Sequence, residues 1–247
     1  MKPSVCLSSP LCFFSSVVPA DESPKRPAAA SNSTVATCTA VACGYSRPKK
    51  LMSTMPEIFK AVSEGSMDKV EGFFASGGDV NYSNSRGMTL LMFAAAVGTP
   101  ALIEYLIVKG ADINATDCDG VAAIHEAAGS LRPNSVQALI KHGADVRASD
   151  NTGCTTLMAA AQDGCIEIMQ ILIDNGVDAG AACTNGRTAL HEACRNGYED
   201  AIELLLAHGA RPDAAMDGGT TPISMLEPYG PTRALQLLLN AQRQQAK

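Results

Sequence analysis

The chain has 247 residues, 46% of them hydrophobic and 18% charged, with a formal net charge of −6; this is enough for one or two ordinary domains with a buried core. Aromatic residues make up only 4% and Trp is absent, which excludes one large core built on bulky rings and suits a thin fold filled by Ala, Leu, Ile and Val. The nine Cys include no Cys-x-x-Cys, a pattern of reduced thiols in a cytosol-like compartment.

Charge divides the chain. Residues 1–54 carry six Lys or Arg against two acids, net +4, leaving 13 basic and 23 acidic residues, net −10, in 55–247. An acidic body lacks the positive face that nucleic acid requires. No apolar run reaches the roughly 18 residues of a membrane span.

Residues 1–54 are rich in Ser, Pro and Ala, with Pro at 3, 10, 19, 24, 27 and 48. They lack sustained periodicity and read as a disordered leader. Three readings of it stand open. Lys2, the apolar stretch Val5–Val18 and Val18-Pro19-Ala20 look like a secretory signal, interrupted by Ser8-Ser9-Pro10. The Ser, Ala and Thr bias resembles an organellar transit peptide acting through residues 1–50, with cleavage near Val41-Ala42-Cys43. In the third, translation starts at Met52 or Met55. The expected location is the cytoplasm, with an organelle as the alternative.

From residue 55 onward a period of 33 governs the chain. Gly87, Gly120, Gly153, Gly186 and Gly219 are spaced by 33, as are Gly77, Gly110, Gly143, Gly176 and Gly209. After each glycine of the first series comes an Ala-rich stretch, such as Val121-Ala122-Ala123-Ile124-His125-Glu126-Ala127-Ala128 or Arg187-Thr188-Ala189-Leu190-His191-Glu192-Ala193-Cys194. A second apolar stretch follows, with pairs at i, i+1, i+4, i+5: Leu102, Ile103, Leu106 and Ile107, for example. That spacing marks one buried helix face. Pro100 and Pro133 open second helices, where a missing N–H does no harm, and Gly98, Gly164, Gly197 and Gly230 fall between the two helices. Leu131 stands where that glycine is expected. Cys183 and Met216 stand where Asp117 and Asp150 open a finger loop, so those two fingers are expected to be looser.

The stretches Thr188-Ala189-Leu190-His191-Glu192-Ala193 and Lys109-Gly110-Ala111-Asp112-Ile113-Asn114 resemble the Thr-Pro-Leu-His-x-Ala and Gly-Ala-Asp-Val-Asn motifs of ankyrin repeats. The resemblance covers roughly 55–247. It implies an all-α ankyrin-repeat solenoid of about six helix–turn–helix units of 33 residues, with short β-hairpin fingers. It also implies a non-catalytic protein-interaction module, a scaffold or adaptor binding through a concave finger and inner-helix surface. The alternative is a dedicated inhibitor or assembly chaperone of a single enzyme complex. The expected partner is protein rather than nucleic acid or membrane, and the chain is expected to be a monomer.

Catalytic readings are weaker. His125-Glu126 and His191-Glu192 do not continue to His-Glu-x-x-His, and in ankyrin-like repeats such a His bridges neighbouring units. The Cys and His residues lack zinc-ligand spacing, and no Gly-rich loop precedes Lys-Ser/Thr. No cofactor, metal or enzymatic activity is expected. Partner contacts in ankyrin-like proteins come from finger positions and from the two residues before the inter-helix glycine. Here that assigns partner binding to Arg86, Met88, Val97, Asp119, Val121, Cys154, Asp163, Arg187 and Arg195. Met88, Val97 and Val121 are expected to form one small exposed apolar patch. Because the leader offers no face to bury, a chain starting at Met55 is expected to melt within a few degrees of the full chain, as measured by circular dichroism.

Overall fold

A computed structural model describes residues 57–245; the leader 1–54 and the domain start at Met55 lie outside the described residues. These residues form six pairs of helices. The first two pairs are α1 (Glu57–Ser63) with α2 (Met67–Ala75) and α3 (Leu90–Val97) with α4 (Pro100–Val108). The next two are α5 (Ala123–Gly129) with α6 (Pro133–Lys141) and α7 (Thr156–Gln162) with α8 (Ile166–Asp174). The last are α9 (Ala189–Asn196) with α10 (Glu199–Ala207) and α11 (Pro222–Leu226) with α12 (Arg233–Gln245). A short 3-10 helix, Glu227–Tyr229, separates α11 from α12.

The first helices of successive units pack on one another from α1 to α11, and the second helices do so from α4 to α12. Two parallel layers result. Small side chains set the close spacing of the first layer: Ala94, Ala95, Ala127, Ala128, Ala160, Ala161 and Ala193 have no exposed surface. The second layer contributes the larger apolar groups Leu102, Ile103, Leu106, Val136, Leu139, Ile168, Met169, Leu172, Ile202 and Leu205. One end is closed by rings. Phe59 packs edge-on against Phe93 at 5.5 Å, and Phe73 against Phe74 at 5.4 Å.

Three first helices, α3, α7 and α11, start at a threonine whose hydroxyl satisfies an orphan donor. The hydroxyls of Thr89, Thr155 and Thr221 accept from the amides of Met92, Met158 and Ser224 at 3.2, 3.3 and 3.1 Å. In two other units, those of α5 and α9, a histidine accepts the amide of the N-cap residue and reaches onward. Nδ1 of His125 accepts the Ala122 amide at 3.2 Å, and Nδ1 of His191 accepts the Thr188 amide at 3.1 Å. Nε2 therefore carries the proton. It donates to the carbonyl of Ala148 at 3.1 Å in one case and of Thr220 at 3.3 Å in the other. Both acceptors belong to the next unit, as the resemblance implied.

The helix-to-helix turn needs a left-handed residue. Gly98 supplies it with φ of 88° as the C-cap of α3. Leu131 adopts the same region at φ 57°, so the turn is kept at a steric cost of roughly 1 kcal/mol. Neighbouring fingers are joined main chain to main chain. The amides of Cys118, Asn151, Thr184 and Asp217 donate to the carbonyls of Arg86, Asp119, Thr152 and Asn185 at 2.9, 2.9, 2.9 and 2.8 Å.

Burial holds the His125 imidazole below its ordinary value of 6.5, and burial does the same for His191. A base that is harder to protonate when folded stabilises the fold fully above the unfolded value. That stability is lost as pH falls below it, because the unfolded chain takes up the proton first. Thermal melts should therefore fall between pH 7.5 and 5.5, with a shallower fall in His125→Gln. His191→Ala should cost about 1–2 kcal/mol in denaturant unfolding.

Candidate functional site

The side of the molecule that carries the fingers and the ends of the first helices is built on repeated local bonds. Four fingers close through antiparallel bridges: Ser83 with Thr89, Thr116 with Ala122, Ser149 with Thr155, and Ala182 with Thr188. In the first three, one side-chain oxygen gathers the loop amides. Oδ1 of Asn84 accepts from Arg86 and Met88 at 2.9 and 3.1 Å. Oδ1 of Asp117 accepts from Asp119 and Val121 at 2.9 and 3.0 Å, and Oδ1 of Asp150 from Thr152 and Cys154 at 2.8 and 2.9 Å.

The finger at Cys183 keeps its bridge, because Asn185 takes over: its Oδ1 accepts from the Arg187 amide at 3.1 Å and the Cys183 thiol at 2.8 Å. The loop at Met216 closes with the Met216 amide on the Thr220 carbonyl at 2.9 Å, and among the described residues it has no bridge. The Cys183 finger thus keeps the closed form of the others, and the last finger keeps the closing backbone bond without the bridge.

On this frame the finger tips are exposed: Ser85 and Arg86, Cys118 and Asp119, Asn151 and Thr152, Thr184 and Asn185. Arg86 reaches across one unit to pair with Asp119 at 2.6 Å, with 58% and 55% of the two side chains exposed. Such an exposed pair contributes little to stability. Asp163 is half-buried at the end of α7. The α9 terminus is tied to that same end, since Nδ2 of Asn196 donates to the Gln162 carbonyl at 2.9 Å.

The expected apolar patch does not exist as an exposed surface. Val121 is 6% exposed and Cys154 4%, and Met88 and Val97 are half-buried against the core. The reason lies in the direction of the residue after the finger glycine. Positions 121 and 154 are buried, and 88 and 187 are half-buried, instead of facing water. Arg187 shows this directly, its guanidinium donating back to Cys154 Sγ at 3.2 Å.

Arg187 belongs to a second feature that spacing alone did not reveal. Glu192 is 1% exposed. Its two oxygens lie 3.0 Å from Arg187 Nε and 3.3 Å from Arg195; the Arg187 contact is an ion pair without the N–H alignment of a full hydrogen bond. A buried carboxylate requires such compensation. Arginines at i−5 and i+3 were the available hint. Tyr229 was also missed. It is 61% exposed and falls in the last unit at the place of Val97 and Asp163, two periods beyond Asp163.

Reactive chemistry finds no support in the buried thiols. Burial pushes the Cys194 thiol up to about 12, so it stays protonated and inert. His208 turns onto the Leu204 carbonyl at 2.9 Å. Among the described residues no group of three or more His, Cys, Asp or Glu is placed to hold a metal ion, and no helix is long and apolar enough to cross a membrane.

With this geometry in view, the comparisons are unambiguous about the architecture. The family described as ankyrin repeats (3 copies) matches residues 58–150 and again 132–216, more than half of the chain. The chain belongs to the ankyrin repeat family. A comparison with curated proteins returned no match. Ankyrin repeats are protein–protein interaction modules, typically without catalytic activity. In this ankyrin protein, Val121→Ala is expected to cost about 1–2 kcal/mol of stability, as a buried methyl loss does, and to leave partner affinity unchanged in the folded fraction. Urea unfolding beside a binding titration separates the two.

Proposed function

We propose that this ankyrin domain, residues 55–247, is a scaffold or adaptor that docks a protein partner on its finger and first-helix face in a reducing, cytoplasm-like compartment. One observation carries the reading. The backbone bonds of the fingers repeat from unit to unit, while the exposed tips on them differ each time: Ser-Arg, Cys-Asp, Asn-Thr, Thr-Asn. Side chains that the fold leaves free can be chosen for a partner.

The contact residues in this proposal are Arg86, Asp119, Asp163, Arg187 and Arg195, with Met88 and Val97 adding half-covered apolar surface at the edge. Polar and charged contacts then dominate, so association should depend on salt.

The test is proximity labelling followed by binding kinetics with each recovered protein. Asp119→Lys is expected to slow association about tenfold at low salt and to change its salt dependence, with a normal circular dichroism spectrum. Several weak partners fit an adaptor, whereas one stoichiometric partner fits a dedicated inhibitor or assembly chaperone. Unaltered kinetics in Asp119→Lys, Asp163→Lys and Arg86→Glu alike would move the site off this face.

A further inference from the structure

The two ends of the stack are closed to different degrees. In the first unit Phe59, Val62 and Val70 have no exposed surface, and the Phe59 ring packs on Tyr82 at 6.0 Å and on Phe93 at 5.5 Å. Of the buried Ile, Leu and Ala side chains in α11 and α12, Leu238 alone is enclosed to that degree; Ile223, Leu226 and Ala234 keep 8, 6 and 4% of their surface. The helix α11 has five residues, where the other first helices have seven or eight. Pro228 stops it, because it has no amide to donate to the Ser224 carbonyl one turn back. Only Ala234 and Leu238 of the 13 residues of α12 are buried.

The finger that leads into this unit has the same backbone turn as the others and fewer bonds. The Met216 amide donates to the Thr220 carbonyl and the Gly219 amide to the Met216 carbonyl, both at 2.9 Å, as Asp117 and Gly120 donate to Val121 and Asp117 at 3.0 and 3.1 Å. Asp117 Oδ1 also gathers the amides of Asp119 and Val121. Met216 offers no such oxygen, and the equivalent amides of Gly218 and Thr220 find no acceptor among the described residues. The finger also stands clear of its surroundings. A Cβ added at Gly87, Gly120, Gly153 or Gly186 would lie 3.2 Å or less from the next finger, whereas one at Gly218 or Gly219 would touch nothing.

Polar ties from this unit to the fifth include the Asp217 amide on the Asn185 carbonyl at 2.8 Å, His191 Nε2 on the Thr220 carbonyl at 3.3 Å, and Arg233 beside Glu203 at 2.9 Å. The Arg233 and Glu203 side chains are 59% and 56% exposed, so their pairing adds little. A unit at the end of a stack has one neighbour and can part from it without disturbing the rest. We propose that the sixth unit, residues 210–245, is a terminal flap that opens and closes on its own while the first five units stay folded. Its opening uncovers the sides of α9 and α10 on which α11 and α12 pack. The opposite end, sealed by its rings, does not open in the same range of conditions.

The experiment is native-state hydrogen exchange on the full chain, read by mass spectrometry where exchange reports the opening equilibrium. Amides of α11 and α12 should exchange about a hundredfold faster than those of α7 to α10, and about tenfold faster than those of α1 and α2. Leu238→Ala removes the one fully enclosed side chain of α12 and should speed exchange in α11 and α12 further, with α7 to α10 unchanged. Met216→Asp supplies the missing finger oxygen and should slow exchange in α11 and α12 about fivefold, again with α7 to α10 unchanged. This second variant tightens the flap, so it tests the inference even where Leu238→Ala leaves the sixth unit unfolded.

Equal protection of α7 to α12 overturns the inference, because the sixth unit then opens only with the whole domain. Exchange in α1 and α2 as fast as in α11 and α12 overturns it too, since both ends would then fray alike. Effects of Leu238→Ala or Met216→Asp that spread evenly over α7 to α12, or no effect of Met216→Asp on α11 and α12, do the same. The scaffold reading is untouched by any of these results and stands or falls on partner recovery and the Asp119→Lys kinetics.

Discussion

Helices α1 to α10 are seven to nine residues long, too short to persist alone in water, so each unit depends on covering its neighbour. The coverage has two parts that act together. Alanines let the first helices approach until no water enters, and hydrogen bonds then cross the gap. The finger amides of Cys118, Asn151, Thr184 and Asp217 meet carbonyls one unit back, and the Nε2 protons of His125 and His191 meet carbonyls one unit on. Neither part works without the other. Buried main-chain groups are costly unless paired, and the pairs form only at the spacing the alanines allow.

The two ends follow from the same dependence. A terminal unit has one neighbour, so it must cover itself by other means. At the first end the rings of Phe59, Phe73, Phe74, Tyr82 and Phe93 gather, in a protein otherwise poor in aromatics. At the other end α12 extends to 13 residues, and Arg233 pairs with Glu203 of the preceding unit at 2.9 Å. Local defects in the pattern are absorbed because the frame is shared. Leu131 is held in a left-handed turn by the helices on either side, and Asn185 replaces a missing finger aspartate.

The same frame explains where specificity can reside. Side chains buried between units are committed to the fold, and Val121 and Cys154 belong to that class. Finger tips are left to solvent. The Arg187–Glu192–Arg195 group stands between the two classes. Its carboxylate is interior and its outer guanidinium is at the surface.

The sequence by itself determined the repeat length, the number of units, the helix pairs and the positions of their turns. Gly98, Pro100, Thr155 and His191 each act through their own backbone neighbourhood, and a strict period places every such neighbourhood in register. It also placed the finger tips, because a loop held by Asp117 or Asp150 has only one way to point its next two residues. Burial was decided by the tertiary structure. Val121 looked like a surface anchor and is interior. The enclosure of Glu192 was not legible in the sequence, because Arg187 and Arg195 meet it only once α9 has formed and the fingers have stacked. A period shows which residues are equivalent. Which way an equivalent residue faces depends on what the adjacent copies leave uncovered, and that is fixed only when they pack.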